Sequence, residues 1–573
     1  MTLSRRIPWA PAALILLLMA PNLARLGWEH GPVVWVSAMV VPVFLLAALF
    51  AIFGRWPWIA CLLLAPLAAL APAELFYVLK YHHPSVYNVL GTIAATNTAE
   101  TIGYFGMLLV PVALCMLAAL ALAVVAAIQS YRRQWQWLGS VRNCILLLSL
   151  GLPAALFLSG ALKPGSTRLQ ERAEQGWQAF QSLTPTVEPG YPFGAIVRFV
   201  KFRQDWAYVA DSRDRLKDFR FHAAPTSRTT QRQIYVLVIG ESSSRSHWSL
   251  FGYERPTNPE LTKLSHVLPV TNMLTSYAAT QEAVPIILTR KPVTSFHELA
   301  QEPTILKAMA EAGFDTWWIS NQVAVGKYES PVTIYALEAN HTEYLNRSTW
   351  TSDQSLDEKL LRPLSRAIET GTSNEFIVLH MMGSHLRYDL RYPADLGQFH
   401  PTLSDPRPSG EPDNRNINSY DNTILYTDHV LAQIIGMLKN SGAVTALWYE
   451  SDHGEALASP SCDYSGHGYG TRDEFQIPVV FWYSDAYAET FQDHIDNLSR
   501  NARQPTISAN TFESLIDMAD ITFPGHDPTM SVFSAQWAWR PRIVHSGWEL
   551  DYDKAQFSPK CNLVEPIGST SGK

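Results

Sequence analysis

Long apolar runs fill the first part of the chain and short ones the rest. Over the first 163 residues, hydrophobic stretches cover 9–27, 33–53, 57–78, 105–128 and 143–162, as in LLVPVALCMLAAL at 108–120. Each approaches the roughly 20 residues a helix needs to cross the hydrocarbon core. Arg5 and Arg6 precede the first stretch, as they would in a cleaved signal peptide. Four further stretches follow, which predicts a retained helix and five spans.

From about residue 233 the period changes. Short apolar runs, Ile234–Ile239, Thr316–Ser320, Phe376–His380, Ala446–Tyr449 and Ile477–Trp482, alternate with helically spaced segments such as Glu302–Ala312, Ser355–Glu369 and Tyr420–Lys439. Continuous apolar strands alternating with helices predict an α/β domain with a mostly parallel central sheet. Between the two regimes, 164–232 is polar and Arg-rich. Its segment Ile196-Val-Arg-Phe-Val-Lys-Phe202 suits a membrane surface, so a linker with interfacial helices is expected there. The predicted organisation is a transmembrane domain over 1–163, a linker over 164–232 and an α/β domain over 233–573.

Charge orients this plan. In a five-span arrangement Arg5, Arg6, Arg55, Arg132, Arg133 and Arg142 fall on one side, and only Arg25 and Lys80 on the other. The positive-inside rule then places the N-terminus in the cytoplasm. An odd number of spans exports everything after residue 163. The net charge of −7 and the lack of a long basic run argue against nucleic acid as a partner. Cys61, Cys115 and Cys144 lie in apolar stretches, which leaves Cys462 and Cys561 able to form one disulfide in an oxidising compartment.

The polar residues gain meaning from the strands they follow, because ligands bind at the carboxyl ends of strands in such sheets. Glu241 follows the first run, Gly383-Ser384-His385 the one ending at His380, and Asp452-His453 the one ending at Tyr449. Burying such charges without partners costs several kcal/mol, so they belong at a rim or around a metal. Glu241, Asp452 and His453 supply two carboxylates and an imidazole. Three such ligands with an open fourth position make a catalytic zinc site. The fourth position suits a hydroxyl nucleophile, and Thr280 opens a helix candidate in a turn of small residues, where its hydroxyl could alternatively cap that helix. His385 and His467, the latter between Gly466 and Gly468, are further candidates; Asp463, Glu455 and His380 are weaker ones.

These motifs together carry a resemblance. Val238-Ile-Gly-Glu-Ser-Ser-Ser-Arg245, Leu250-Phe-Gly-Tyr-Glu-Arg-Pro-Thr257, Gly383-Ser-His385 with Arg391-Tyr-Pro393, and Ser451-Asp-His-Gly-Glu455 resemble the lipid-dependent phosphoethanolamine transferases. These are sulfatase-like enzymes of the alkaline phosphatase superfamily with five membrane spans. The resemblance covers almost the whole chain. It implies zinc ligation by Glu241, Thr280, Asp452 and His453, with Thr280 as nucleophile, chosen over Thr275 by its spacing to Pro285. It makes His385 and His467 outer histidines that contact the phosphoryl group or a second zinc. Thr96 and Glu100 match the family's lipid-pocket threonine and glutamate, with Thr92 where many relatives have asparagine.

What the resemblance implies is transfer of phosphoethanolamine from phosphatidylethanolamine to a lipopolysaccharide acceptor, through a phosphoethanolamine-threonine intermediate. The expected location is the bacterial inner membrane with the catalytic domain periplasmic. The stretches Arg391–Phe399, Tyr420–His429 and Asp527–Val532 look closer to the branch acting on core heptose than to the lipid A branch, whose cysteine beside the nucleophile is missing here. The competing classes are a glycerol-phosphate polymer synthase, a membrane-tethered sulfatase or phosphatase, and a non-catalytic receptor. A sulfatase would need a Cys/Ser-x-Pro-x-Arg site, which is absent at the nucleophile position.

Overall fold

The computed structural model describes all residues except 1–6, 82–83, 86–108, 164–168, 227, 295–300, 325–329, 347–354, 408–412, 460, 547–548 and 568–573. Two compact units divide near Gln204.

The N-terminal unit is helical. Among the described residues, Pro32–Ile52, Val110–Arg132 and Ser140–Ala161 are long and apolar enough to cross a membrane. A fourth crossing arises only if Pro57–Leu63 and Ala65–Leu79, bent by 48°, count as one. The bend falls just before Pro66, whose ring and missing N–H disrupt the preceding turn. The first stretch forms the 17-residue helix Trp9–Arg25, about 25 Å at 1.5 Å per residue and short of the core thickness. The expected five spanning helices therefore become three, or four with the bent pair. Leu169–Gln181 and Phe193–Leu216 are helical. Thr92, Thr96 and Glu100 lie outside the described residues.

The C-terminal unit is built on a seven-stranded sheet, numbered here in chain order: β1 Gln233–Gly240, β2 Val267–Val270, β3 Asp315–Ser320, β4 His341–Tyr344, β5 Glu375–His380, β6 Val444–Ser451 and β7 Val479–Tyr483. The spatial order is β2-β7-β6-β1-β5-β3-β4. β6, β1, β5, β3 and β4 pair in parallel, whereas β7 runs antiparallel to both β6 and β2. The sheet is thus mixed, and the strand expected at 477–482 enters it reversed. β2 and β4 were not predicted. Each has four residues on an edge and is only partly buried; β2, Val267-Leu-Pro-Val270, is apolar but short and carries a proline, and β4, His341-Thr-Glu-Tyr344, is largely polar, so neither shows the long apolar run that marks β1 or β6.

Alternation within β1 sends side chains to both faces. Ile234, Val236 and Val238 join one core with Leu364, Ile424 and Ile434, while Tyr235, Leu237 and Ile239 join another with Val284, Ile287 and Phe512. Both faces are covered by helices, which is why β1 and β6 are buried along their entire length. The helix that matters below is α1, Thr280–Leu288.

Candidate active site

The site lies where β6, β1 and β5 end side by side. The register sets Gly240 opposite Ser451 and Ile239 opposite His380, so the residues that follow each strand emerge together. Glu241, Asp452 and His453 are fully buried, and one ligand atom from each lies within 4.8 Å of the other two. His453 Nε2 is 3.4 Å from Glu241 Oε1 and 3.5 Å from Asp452 Oδ2. His453 Nδ1 lies 2.8 Å from the Gly454 carbonyl, which fits an Nδ1–H donor and leaves the Nε2 lone pair facing the carboxylates.

Thr280 completes the group. It is the first residue of α1, and Ala279 takes the N-cap position without a side-chain cap. The Thr280 hydroxyl is therefore not used as a helix cap. It donates to Glu241 Oε2 at 3.0 Å and lies 3.3 Å from His453 Nε2. The positive end of the helix dipole sits beside it, favouring a negatively charged group there.

These residues fit a divalent cation. Burial, then the charge of Asp452, pushes the Glu241 carboxyl up to about 7, and burial pushes Asp452 up to about 6. Asp452 Oδ2 is buried with no hydrogen-bond partner among the described residues. Two desolvated carboxylates with an orphaned oxygen and an oriented imidazole are the donor set of a zinc site. A second cluster, His453, Glu455 and His467, also brings three ligand atoms together. There, however, Glu455 is already engaged: Tyr388 donates to its Oε1 at 2.6 Å and His467 Nδ1 meets its Oε2 at 3.1 Å. That makes the first cluster the better metal site.

His385 and His467 line the same cavity as Glu241 and Thr280, which has a volume of about 450 Å³. The rings of His467 and His453 are 4.3 Å apart and those of His385 and His467 6.2 Å. Burial would lower His467, but the Glu455 carboxylate outweighs it and holds the imidazole up at about 9. The loop carrying His467 is tied to the C-terminal segment by a Cys462–Cys561 disulfide. Asp463 points away into an ion pair with Lys560.

Several contributors escape sequence reading. Asp357 accepts the backbone N–H groups of Met382 and Gly383, shaping the turn before His385. The buried Arg391 donates to the carbonyls of His385 and Leu386. Gln322 Nε2 donates to Met381 O at 2.9 Å and reaches Glu241 Oε2 at 3.5 Å. Asp357 and Gln322 have no local signal, because each acts on a segment far away in the chain, whereas Arg391 belongs to the motif read with Gly383-Ser-His385. Glu455, a weaker candidate from the sequence, shares a loop with His453 and fixes His467.

The match to the sulfatase family spans residues 233–521, half of the chain. Phosphoethanolamine transferase EptC of Escherichia coli K12 is 27% identical over 545 residues, covering 90% of this chain and 89% of that protein. Phosphoethanolamine transferase CptA of Salmonella typhimurium is 27% identical over 539 residues, with the same coverage of each. The crystal structure of the C-terminal periplasmic domain of EcEptC from Escherichia coli in complex with Zn superposes with a TM-score of 0.52 at 27% identity, covering 58% of this chain and 95% of that one. The chain belongs to the sulfatase family, and the relatives it aligns with over nine-tenths of its length are phosphoethanolamine transferases.

Proposed function

We propose that this protein is a zinc-dependent phosphoethanolamine transferase of the bacterial inner membrane, with an N-terminus in the cytoplasm and its catalytic domain in the periplasm. The observation that carries the reading is the Thr280 hydroxyl held at 3.0 Å from Glu241 and 3.3 Å from His453, beside the orphaned Asp452 oxygen. Glu241, Asp452, His453 and Thr280 would hold one zinc ion. When bound, the ion lowers the pKa of the threonine hydroxyl and offsets charge on the phosphoryl oxygens.

Thr280 Oγ attacks the phosphorus of phosphatidylethanolamine. The bond to diacylglycerol breaks, and the hydroxyl proton leaves with the diacylglycerol. An acceptor hydroxyl then attacks the phosphoethanolamine-threonine and releases Thr280, which regains a proton. His467, fixed through Nδ1 by Glu455, and His385, fixed through its backbone by Arg391, flank the phosphoryl position. The domains assigned to these tasks are 1–163, 164–232 and 233–573. Glu100, with Thr92 and Thr96, would hold the donor headgroup, a carboxylate being the natural partner of its ammonium. The acceptor is a lipopolysaccharide sugar, with core heptose preferred on the resemblance of Arg391–Phe399, Tyr420–His429 and Asp527–Val532 to that branch.

The test is mass spectrometry of lipid A and core oligosaccharide from cells with and without the protein, combined with labelled phosphatidylethanolamine or phosphatidylglycerol as donor. A phosphoethanolamine increment on the core that depends on the protein is expected. Labelled glycerol phosphate in the product, or release of free phosphoethanolamine only, would sink the reading in favour of a polymer synthase or a hydrolase.

A further inference from the structure

In the two-step transfer proposed above, the departing and the arriving oxygen share one position on the phosphorus. Diacylglycerol leaves opposite the Thr280 Oγ that attacks, and the acceptor hydroxyl enters opposite the Thr280 Oγ that leaves. A glycan acceptor is too large to be enclosed in a cavity of about 450 Å³, so it must rest against the exposed part of the lining. Among the described lining residues, the large exposed side chains are Leu386 and Tyr469, at 38% and 43%. Tyr469 has had no role so far.

Its ring is held as a rigid platform. One face stacks on Tyr464, with centroids 4.4 Å apart and planes within 3° of parallel. The Tyr469 hydroxyl donates to the Ser465 carbonyl at 3.1 Å, and its backbone N–H donates to Glu474 Oε1 at 2.9 Å. The C-terminal segment clasps the same loop. Val564 N–H donates to the Gly470 carbonyl and Arg472 N–H to the Asn562 carbonyl, both at 2.9 Å, beside the Cys462–Cys561 disulfide. With Tyr464 on one face, the exposed surface of Tyr469 falls on its other face and edge. A ring ordered in advance loses little freedom when a ligand lies on it.

We propose that Tyr469 is a substrate-binding residue whose free ring face carries the C–H face of the acceptor sugar at the mouth of the catalytic cavity. The surrounding chemistry favours this class. Among the described lining residues the only carboxylate is Glu241, already placed as a zinc ligand, so an ammonium group finds no second carboxylate in the cavity. A polyol needs none. Its C–H groups carry slight positive charge and suit the negative face of a ring, while its hydroxyls remain in water. The glycerol unit of the departing diacylglycerol has the same C–H chemistry, so the test separates the two sources.

The inference rests on the transferase reading for the identity of the sugar, and the measurement lets the two fail separately. Full-length protein in detergent micelles is given labelled phosphatidylethanolamine and increasing amounts of deacylated lipopolysaccharide, which carries both lipid A and core sugars. Diacylglycerol release without acceptor is followed in parallel. Tyr469→Ala should raise the acceptor concentration for half-maximal transfer about three- to tenfold, the scale of one aromatic stack. Diacylglycerol release and zinc content should not change. Tyr469→Phe keeps the ring and should behave as wild type. An unchanged acceptor dependence in Tyr469→Ala overturns the proposal. So does a Tyr469→Phe protein as weak as the alanine variant, which would assign the effect to the hydroxyl. Slower diacylglycerol release with zinc retained overturns it as well and assigns the ring to the donor. If Tyr469→Ala loses zinc, Tyr469→Leu, which keeps bulk without an aromatic face, replaces it under the same outcomes. A wild-type protein that transfers nothing to the glycan overturns the transferase reading and the proposal with it, whereas wild-type transfer that the variants leave untouched overturns the proposal alone.

Discussion

Gly383 packs against the backbone of Glu241 so closely that a Cβ at position 383 would lie 2.7 Å from the Glu241 carbonyl oxygen and 2.8 Å from its amide nitrogen. Gly383 also has a φ of 51°, in the left-handed region. The turn that leads to His385 is thereby seated directly on a metal-ligand candidate. Gly383→Ala should destabilise the domain by about 1–3 kcal/mol and lower zinc occupancy, since both strain and overlap fall on Glu241. Thermal unfolding and metal analysis of the purified variant check this. A variant with wild-type melting and full zinc would contradict the packing argument.

Thr280→Ala should reduce transfer by three orders of magnitude or more, roughly the scale of removing a nucleophile, while the domain stays folded. Thr280→Ser keeps the oxygen and should retain measurable activity. The assay is transfer from labelled phosphatidylethanolamine, with circular dichroism as the folding control. Full activity of the alanine variant would remove Thr280 from the nucleophile role.

Metal removal should make stability newly dependent on pH. Glu241 and Asp452 have ordinary carboxyl values near 4 when unfolded, and burial raises them to about 7 and about 6 in the folded metal-free protein. Their protonated forms are favoured by folding, so their contribution to stability is fully present below about pH 4 and is lost as pH rises toward 7. Chelated protein should therefore melt lower at pH 7.5 than at pH 5, by a larger margin than zinc-loaded protein. Equal pH slopes for the two forms would show that the carboxylates do not face each other as described.

Replacing Cys462 and Cys561 together by serine should cost about 2–4 kcal/mol, the usual effect of a bridge closing a long loop. The loop carrying His467 should also become easier to cleave with protease. Thiol labelling of the denatured, unreduced protein should find Cys61, Cys115 and Cys144 reactive and no others. Five labelled thiols would exclude the bridge.

Glu100→Gln removes a charge while keeping the shape of the side chain. It should weaken use of phosphatidylethanolamine in micelles and leave zinc content unchanged, because no zinc-ligand candidate lies in the membrane unit. Transfer rate against donor concentration decides it. An unchanged curve would make Glu100 an ordinary surface acid.

Sequence alone determined the parts that depend on local periodicity. The buried strands β1, β5 and β6 were legible because both of their faces are covered, which leaves uninterrupted apolar runs. Glu241, Asp452 and His453 were legible because charge at the end of such a run requires a partner. Tertiary structure decided what depends on pairing across the chain. The direction of β7 and the edge strands β2 and β4 follow from neighbours rather than from their own short patterns. The bend near Pro66 turned a uniform apolar stretch into a broken one. Asp357 and Gln322 became part of the site only when folding brought them to backbone atoms 25 and 59 residues away, respectively, a separation that no local pattern records. His380 shows the same division: its place at a strand end was readable, but the contact of its Nδ1 with Ser320 exists only once β5 and β3 lie side by side.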